Sequence, residues 1–322
     1  MSLSNMKVFN DYLKKVTIET LTQDVAKFNA ASAGTIRLTT QGIDGDFLQE
    51  SFWAGLHGAQ RRVDRYAANG TQAATPLAQK QYDSVKIAGG FGPILWEPSQ
   101  LSWVQKNPEE ALEVISRNLS EAIMSDQLNT AIAALVAAIG NQPGATNDVS
   151  ATGGLNYIAI NNAHALFGDA SQRLVAQVMT GAMYHKLLGQ NLANAERLFS
   201  FSGVQVVDIL GKAVIVTDAA ALFEAGTPDK QKVLSLADGA AVVMDGSDLI
   251  TNIETSNGKE RIETTMQADY TFGLGLKGFT WDTANGGKSP TSAELATGTN
   301  WDLVANSIKG SAGVITIGDA AK

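Results

Sequence analysis

The chain has 322 residues, 44% of them apolar, enough for one large core or two to three smaller ones. Its 24 Lys and Arg against 32 Asp and Glu leave a net charge of −8, which excludes a broad nucleic-acid-binding face, because phosphate neutralisation needs clustered cations. Only 17% of residues are charged and none is Cys, so disulfides and thiolate chemistry are excluded, and a surface covered by other chains competes with a plain Ala- and Gly-rich globule.

The N-terminus, "MSLSNMKVFNDYLKK", lacks the apolar core of a signal peptide. The longest apolar run, "AIAALVAAIG", falls short of the roughly 20 residues that span a bilayer, so the chain reads as soluble and made in the cytoplasm. Over residues 8–28, Phe9, Tyr12, Leu13, Val16, Leu21, Val25 and Phe28 recur at helical spacing. That predicts an amphipathic helix with nothing beside it in sequence to cover its stripe. "NAASAGTIRLTT" breaks it and starts a strand over residues 35–39. In "GDFLQESFWAGLHGAQRRVDRYAANG", Leu48, Phe52, Leu56, Ala59, Val63 and Tyr66 step by three or four and predict a second helix, ended by Asn69-Gly70.

From Gly70 to Pro98 the text is rich in Gly, Pro, Gln and Ala, with a short alternating strand over residues 82–87. Such a stretch is too long for an ordinary connection and reads as disorder or as a built excursion with few core contacts. Asn107-Pro108-Glu109-Glu110 then combines an N-cap, a first-position proline and two carboxylates at the positive end of a helix dipole. The stripe Leu112, Ile115, Leu119, Ile123, Leu128, Ile132, Leu135 and Ile139 runs to Gly140 as a C-cap. The result is a rod of roughly 48 Å at about 1.5 Å per residue. "GNQPGATNDVSATGG" reads as a linker and a domain boundary.

Beyond it helix and strand alternate: a helix over 158–167, a strand over 173–180, a helix over 181–194 and a short helical piece over 219–225. "VQVVDILGKAVIVTDAA" is a strand pair around Leu210-Gly211-Lys212, and another strand covers 240–244. From Asp248 a long antiparallel pattern turns at Asn257-Gly258, and "NWDLVANSIKGSAGVITIGD" gives a turn of helix and a last strand.

Little chemistry accompanies this scaffold. Gly273-Leu-Gly275-Leu-Lys-Gly278 matches a dinucleotide pattern, but "FTWDTANGG" follows and opens no helix, so the glycines belong to a strand. His57, His164 and His185 have no zinc-ligand spacing and fall in helical patterns. Asp44 and Asp46 resemble the start of a calcium loop, which fails where Leu48 and Gln49 stand in place of glycine. Glu109 and Glu110 are explained by helix capping. Arg61, Arg62 and Arg65 form the one dense basic cluster, either a solvated helix face or a partner for an acidic patch on another chain. No catalytic, cofactor or metal constellation emerges, so no enzyme is expected.

Several stretches together carry a resemblance. "KFNAASAGTIRL" followed by "GDFLQESFW" and "QRRVD", then "NNAHALFGDASQRLVAQVMTGAMYHKLL", "VVDILGKAVIVTDA" and "NWDLVANSIKGSAGVITI", resemble the major capsid proteins of tailed bacteriophages and prophages. The resemblance implies an α+β Hong Kong 97-type capsid fold. Residues 1–34 would be its N-terminal arm and 35–100 its extended loop. Residues 101–150 would be a peripheral domain with a long spine helix, 151–240 an axial domain, and 241–322 the peripheral strands and C-terminus. It further implies an icosahedral head shell of hexamers and pentamers of this chain, enclosing double-stranded DNA without sequence-specific binding and without a membrane. The shell would be assembled in the bacterial host cytoplasm and located in the virion capsid. The resemblance leaves scaffolding, portal and decoration proteins open as further partners; no scaffolding-type segment precedes the arm, which implies a separate scaffolding protein or none. Lys–Asn cross-linking stays open. An encapsulin-like compartment shares the fold, and a small α/β enzyme is the rival of another class, though it leaves the arm, the excursion and the rod unexplained.

Overall fold

Two six-stranded sheets share one long helix. The computed structural model describes residues 9–10, 12–22, 29, 32–39, 45–53, 59–194, 212–246, 248–257 and 260–322. Strands β1 (Ile36–Thr39), β2 (Phe47–Trp53) and β3 (Gln79–Trp96) precede helices α1 (Pro98–Lys106) and α2 (Pro108–Gly140). Then come β4 (Thr146–Asp148), α3 (Tyr157–Ala165), β5 (Leu174–Met179), α4 (Gly181–Asn194), β6 (Ala213–Val216), β7 (Phe223–Glu224), β8 (Lys230–Ala237) and β9 (Ala241–Asp245). The C-terminal part holds β10 (Ile250–Ser256), β11 (Glu263–Leu276), β12 (Phe279–Trp281), α5 (Ser292–Leu295), β13 (Trp301–Leu303) and β14 (Gly313–Asp319).

The first sheet has the order β1-β9-β11-β3-β2, with β10 also on β11; the second runs β4-β14-β8-β5-β6, with β7 on β8. In the first sheet the register aligns Leu38, Val243, Leu274 and Val85 in one row across four strands. All four are buried, and together they form the floor of the core beneath α2. Residues one step away, Met244 and Ser84 among them, face the other side, as the period of two requires.

Helix α2 starts where the sequence predicts. Glu109 and Glu110 occupy its first turn and Pro108 its first position, but the Asn107 side chain makes no capping bond. Gly140 is its last helical residue, and Asn141 caps it, donating its backbone N–H to Ala137 O. Its buried stripe passes from Leu119 and Ile123 to Ala131, Ala134, Leu135, Ala138 and Ile139, where alanines allow close approach of the second sheet. By length and apolar content α2 would span a bilayer, contrary to the expectation from the short run "AIAALVAAIG"; its burial makes it a core helix.

Four expectations are overturned. The helix predicted through Leu48, Phe52 and Val63 is instead strand β2 followed by irregular chain at 60–64; β2 pairs with β3 from Phe47↔Val85 to Trp53↔Gln79. A run of Phe, Leu and Trp beside a long partner strand gains more from pairing than from an isolated helix. The "excursion" is, from Gln79 on, an 18-residue strand between β11 and β2, with Val85 and Ile87 in the core. The "linker" contains β4, which pairs in parallel with β14 at Ile315↔Thr146. The N-terminal stripe does have a cover in its own chain: Phe9 and Leu13 are buried in the main core, and Asn10 Nδ2 donates to Thr251 O at 2.7 Å. The first half of the "VQVVDILGK" strand pair lies outside the described residues; the second half is β6, parallel to β5.

The glycines of β3 have a cross-strand cause. Tyr270 pairs with Gly89, and its ring stacks on Phe91 at 5.4 Å and Phe272 at 6.3 Å while its hydroxyl donates to Asp126 at 2.6 Å. A Cβ on Gly89 would come within 2.7 Å of that ring, which these contacts hold in place. Gly89→Val is therefore expected to destabilise the subunit by about 1–3 kcal/mol, the usual cost of overpacking, seen as a lower urea midpoint with unchanged slope.

Candidate assembly surfaces

The β2–β3 hairpin ends in a loop whose described residues, 59–78, are all exposed. Asp64 Oδ1 accepts the Tyr66 backbone N–H at 2.9 Å, a local turn that displays the neighbouring side chains outward. Tyr66 is 101% exposed and Val63 61%, an apolar pair set among Arg61, Arg62 and Arg65. None of these arginines pairs with a carboxylate among the described residues. They lie on irregular chain rather than on the helix face expected for them.

At the hairpin's root a half-open groove of about 790 Å³ lies on the sheet face opposite α2. Val242, Met244, Leu48 and Leu276 supply its apolar walls, and Gly275 its floor, where a Cβ would strike Ser84 Oγ at 2.5 Å. Its charged groups are already satisfied: Arg37 meets both Asp238 oxygens at 2.8 and 2.7 Å, and Tyr82 donates to Glu50 at 2.5 Å. Burial and the adjacent Glu50 push the Tyr82 phenol up, so it stays a donor. The glycine motif of the sequence ends here in a strand and a turn: Gly273 and Gly275 belong to β11, and Gly278 turns with φ +79°.

The opposite end of β3 carries a second exposed region. Arg261 grips Glu97 through two bonds of 3.0 and 3.2 Å, beside exposed Ile94, Leu95 and Ile262. The first turns of α2 present exposed Glu109, Glu110 and Glu113, none in an ion pair among the described residues, whereas Arg117 pairs with Glu121 at 3.1 Å. At roughly 3.3 Å per residue, the 18-residue β3 puts a strand length of about 59 Å between the basic loop and Glu97.

Neither end has the geometry of a reaction centre. Among the described residues no three His, Asp or Glu side chains gather as metal ligands. His164 is buried and bonded to Ser235, His185 packs edge-on to Tyr184 at 5.5 Å, and His57 and Asp44 lie outside the described residues. Asp46 is bound by Lys288 at 2.7 Å, which holds its carboxyl below the usual range. What the surface offers is extended, exposed, charge-separated ends on a rigid core.

A family model described as Gp13-like, major capsid protein 13-like, matches residues 5–315. Among solved structures, the chain is similar to the capsid subunit of cyanophage Pam1, with 13% identity, 89% of this chain and 88% of that chain covered, and a TM-score of 0.53. A capsid protein of Helicobacter pylori bacteriophage KHP30 aligns at 8% identity over 91% of this chain and 89% of that chain, with a TM-score of 0.47. No curated protein matches the chain.

Proposed function

Because the chain belongs to the Gp13-like family of major capsid proteins, we propose that this structural shell protein of a phage virion closes into hexamers and pentamers around double-stranded DNA, assembled in the host cytoplasm. The α+β, Hong Kong 97-like fold supports the reading. The single observation that carries it is the β2–β3 hairpin, whose described tip has no cover in its own chain.

In this reading residues 1–34 are an arm and 35–100 an extended loop that crosses a neighbouring copy. Residues 101–150 and 241–322 build the peripheral domain, and 151–240 the axial domain. Scaffolding, portal and decoration proteins complete the assembly. An acidic subunit suits a container whose DNA needs no base readout.

Arg61, Arg62 and Arg65 act between copies, and the exposed carboxylates of Glu109, Glu110 and Glu113 are the complementary charges at the other end of the subunit. Exposed pairs are each worth about 0–1 kcal/mol, but repetition around a closed shell multiplies them and charge reversal adds repulsion. Changing all three arginines to Glu is expected to leave circular dichroism unchanged while light scattering shows shell yield falling at least several-fold. Adding Lys at 109, 110 and 113 should restore part of it. Normal yield from the triple arginine variant would return the cluster to plain solvation. Negative-stain microscopy of the wild type tests the whole reading: closed particles are expected, and a folded, stable monomer at every concentration and salt overturns it.

A further inference from the structure

We propose that His164 is an acid-released latch that fastens α3 to the second sheet. The residue lies in the last turn of α3, and its Nε2 is 2.9 Å from Ser235 Oγ on β8, both side chains being buried. Ser235 stands in the centre of the sheet, paired with Gln177 of β5 and Val314 of β14. The other ties of α3 are apolar or neutral: Ile160 and Ala163 in the core, Asn147 Nδ2 donating to Ala159 O at 2.8 Å, and Tyr157 donating to Leu187 O at 3.0 Å. Among the described residues, His164 is thus the one group of this helix that gains a charge in mild acid once it is detached.

No described carboxylate reaches that charge, and the C-terminal end of the α3 dipole is the one feature that favours it. Lys212, whose ammonium donates to the carbonyls of Ser171 and Leu174, is the charged group whose field reaches the imidazole, and it repels a second cation. Charged groups on the other packed elements are engaged elsewhere: Lys230 with Asp148, Lys232 with Glu224, Lys322 with Asp319, and Lys309 with Asp169. Arg173 donates to Lys309 O at 3.2 Å. The Ser235 bond engages Nε2 in either neutral tautomer; imidazolium would bring a second N–H and a full charge into a site where no described carboxylate meets it.

Burial, reinforced by Lys212, lowers the His164 imidazole to about 4 from an ordinary value near 6.5. Above pH 6.5 both the attached and detached forms are neutral, and the latch holds fully. As pH falls from 6.5 towards 4, only the detached form takes up the proton, so detachment becomes easier. Below about 4 both bind it and the effect levels off. The whole window corresponds to a rise of about 300-fold in the detached fraction, tenfold for each pH step of one between the two values.

Hydrogen exchange by mass spectrometry, corrected for intrinsic rates, tests this on the full chain at pH 7, 5.5 and 4.5. Residues 157–165 are expected to lose protection progressively in the wild type, while residues 131–139 of α2 serve as the internal reference. His164→Gln should abolish that pH dependence. If the variant keeps the wild-type dependence, the latch is overturned. Exchange of the imidazole C2 proton in the wild type needs no variant: a titration of His164 near 6.5 in the folded protein also overturns the proposal, and one well below 5.5 supports it.

Discussion

Replacing residues 72–90 by a short Gly-Ser turn is expected to unfold the subunit, whereas replacing residues 60–76 should leave it folded and unable to close shells. The two excisions differ in what they remove. The shorter one takes only exposed, irregular chain. The longer one takes the first two thirds of β3, and with it the pairing to β2 and six of the ten residue pairs with β11. Val85 and Ile87 leave the core, and truncating a buried aliphatic costs about 2–5 kcal/mol each. Each lost ladder bond adds about 1 kcal/mol where its partner stays buried. The total exceeds the roughly 5–15 kcal/mol that holds a folded domain together. Far-ultraviolet circular dichroism and solubility distinguish the variants, and microscopy reads assembly. A folded, soluble product from the longer excision would refute the placement of β3 in the core.

How much of this fold is legible in the sequence depends on whether the cause of each element is local. Helix α2 carries its own instructions, Pro108, two first-turn carboxylates and an apolar stripe, and its limits are readable to within a residue. Helix α4 and strands β5 and β9 are similarly self-announcing. Strand β3 is not, because Gly89 is explained by Tyr270 across the sheet, and glycine without that partner reads as a breaker. Strand β8, the centre of the second sheet, gives no sequence signal of its own. "KQKVLSLA" is buried on both faces along its second half and so lacks alternation, while its polar opening resembles a loop. The steps of four from Leu48 to Phe52 suit a helix as well as a strand, and only the partner β3 decides between them.

The assembly surface divides in the same way. Arg61, Arg62 and Arg65 stand out in the sequence as a basic cluster, but their setting does not, since the apparent helical period around them belongs to a strand and an irregular loop. The carboxylates at Glu109 and Glu110 have a complete local explanation as helix-dipole partners, so nothing in their own text suggests a second role. Only the fold shows that the 18-residue strand β3 and helix α1 stand in the chain between the two clusters.

Leu13→Ala is expected to lower subunit stability by about 2–5 kcal/mol, and Tyr12→Ala by less than about 1 kcal/mol. The two residues are neighbours on the same N-terminal helical stretch, but Leu13 is 0% exposed and Tyr12 57%. Leu13 belongs to the main core, whose other members include residues of β1, β9, β11 and α2. Its removal leaves a cavity in packed surroundings, and the stretch loses the main apolar contact that, with Phe9, holds it down. Tyr12 has little to lose within the subunit, so any cost of its removal should appear in assembly instead. Thermal melts of dissociated subunits, followed by shell yield, separate the two roles. Equal melting points for both variants would mean that the N-terminal stretch contributes nothing to the subunit's own core. A lowered melting point for Leu13→Ala alone would make the stretch a part of the folded subunit before any neighbour arrives, with Tyr12 left as the side that a neighbour covers.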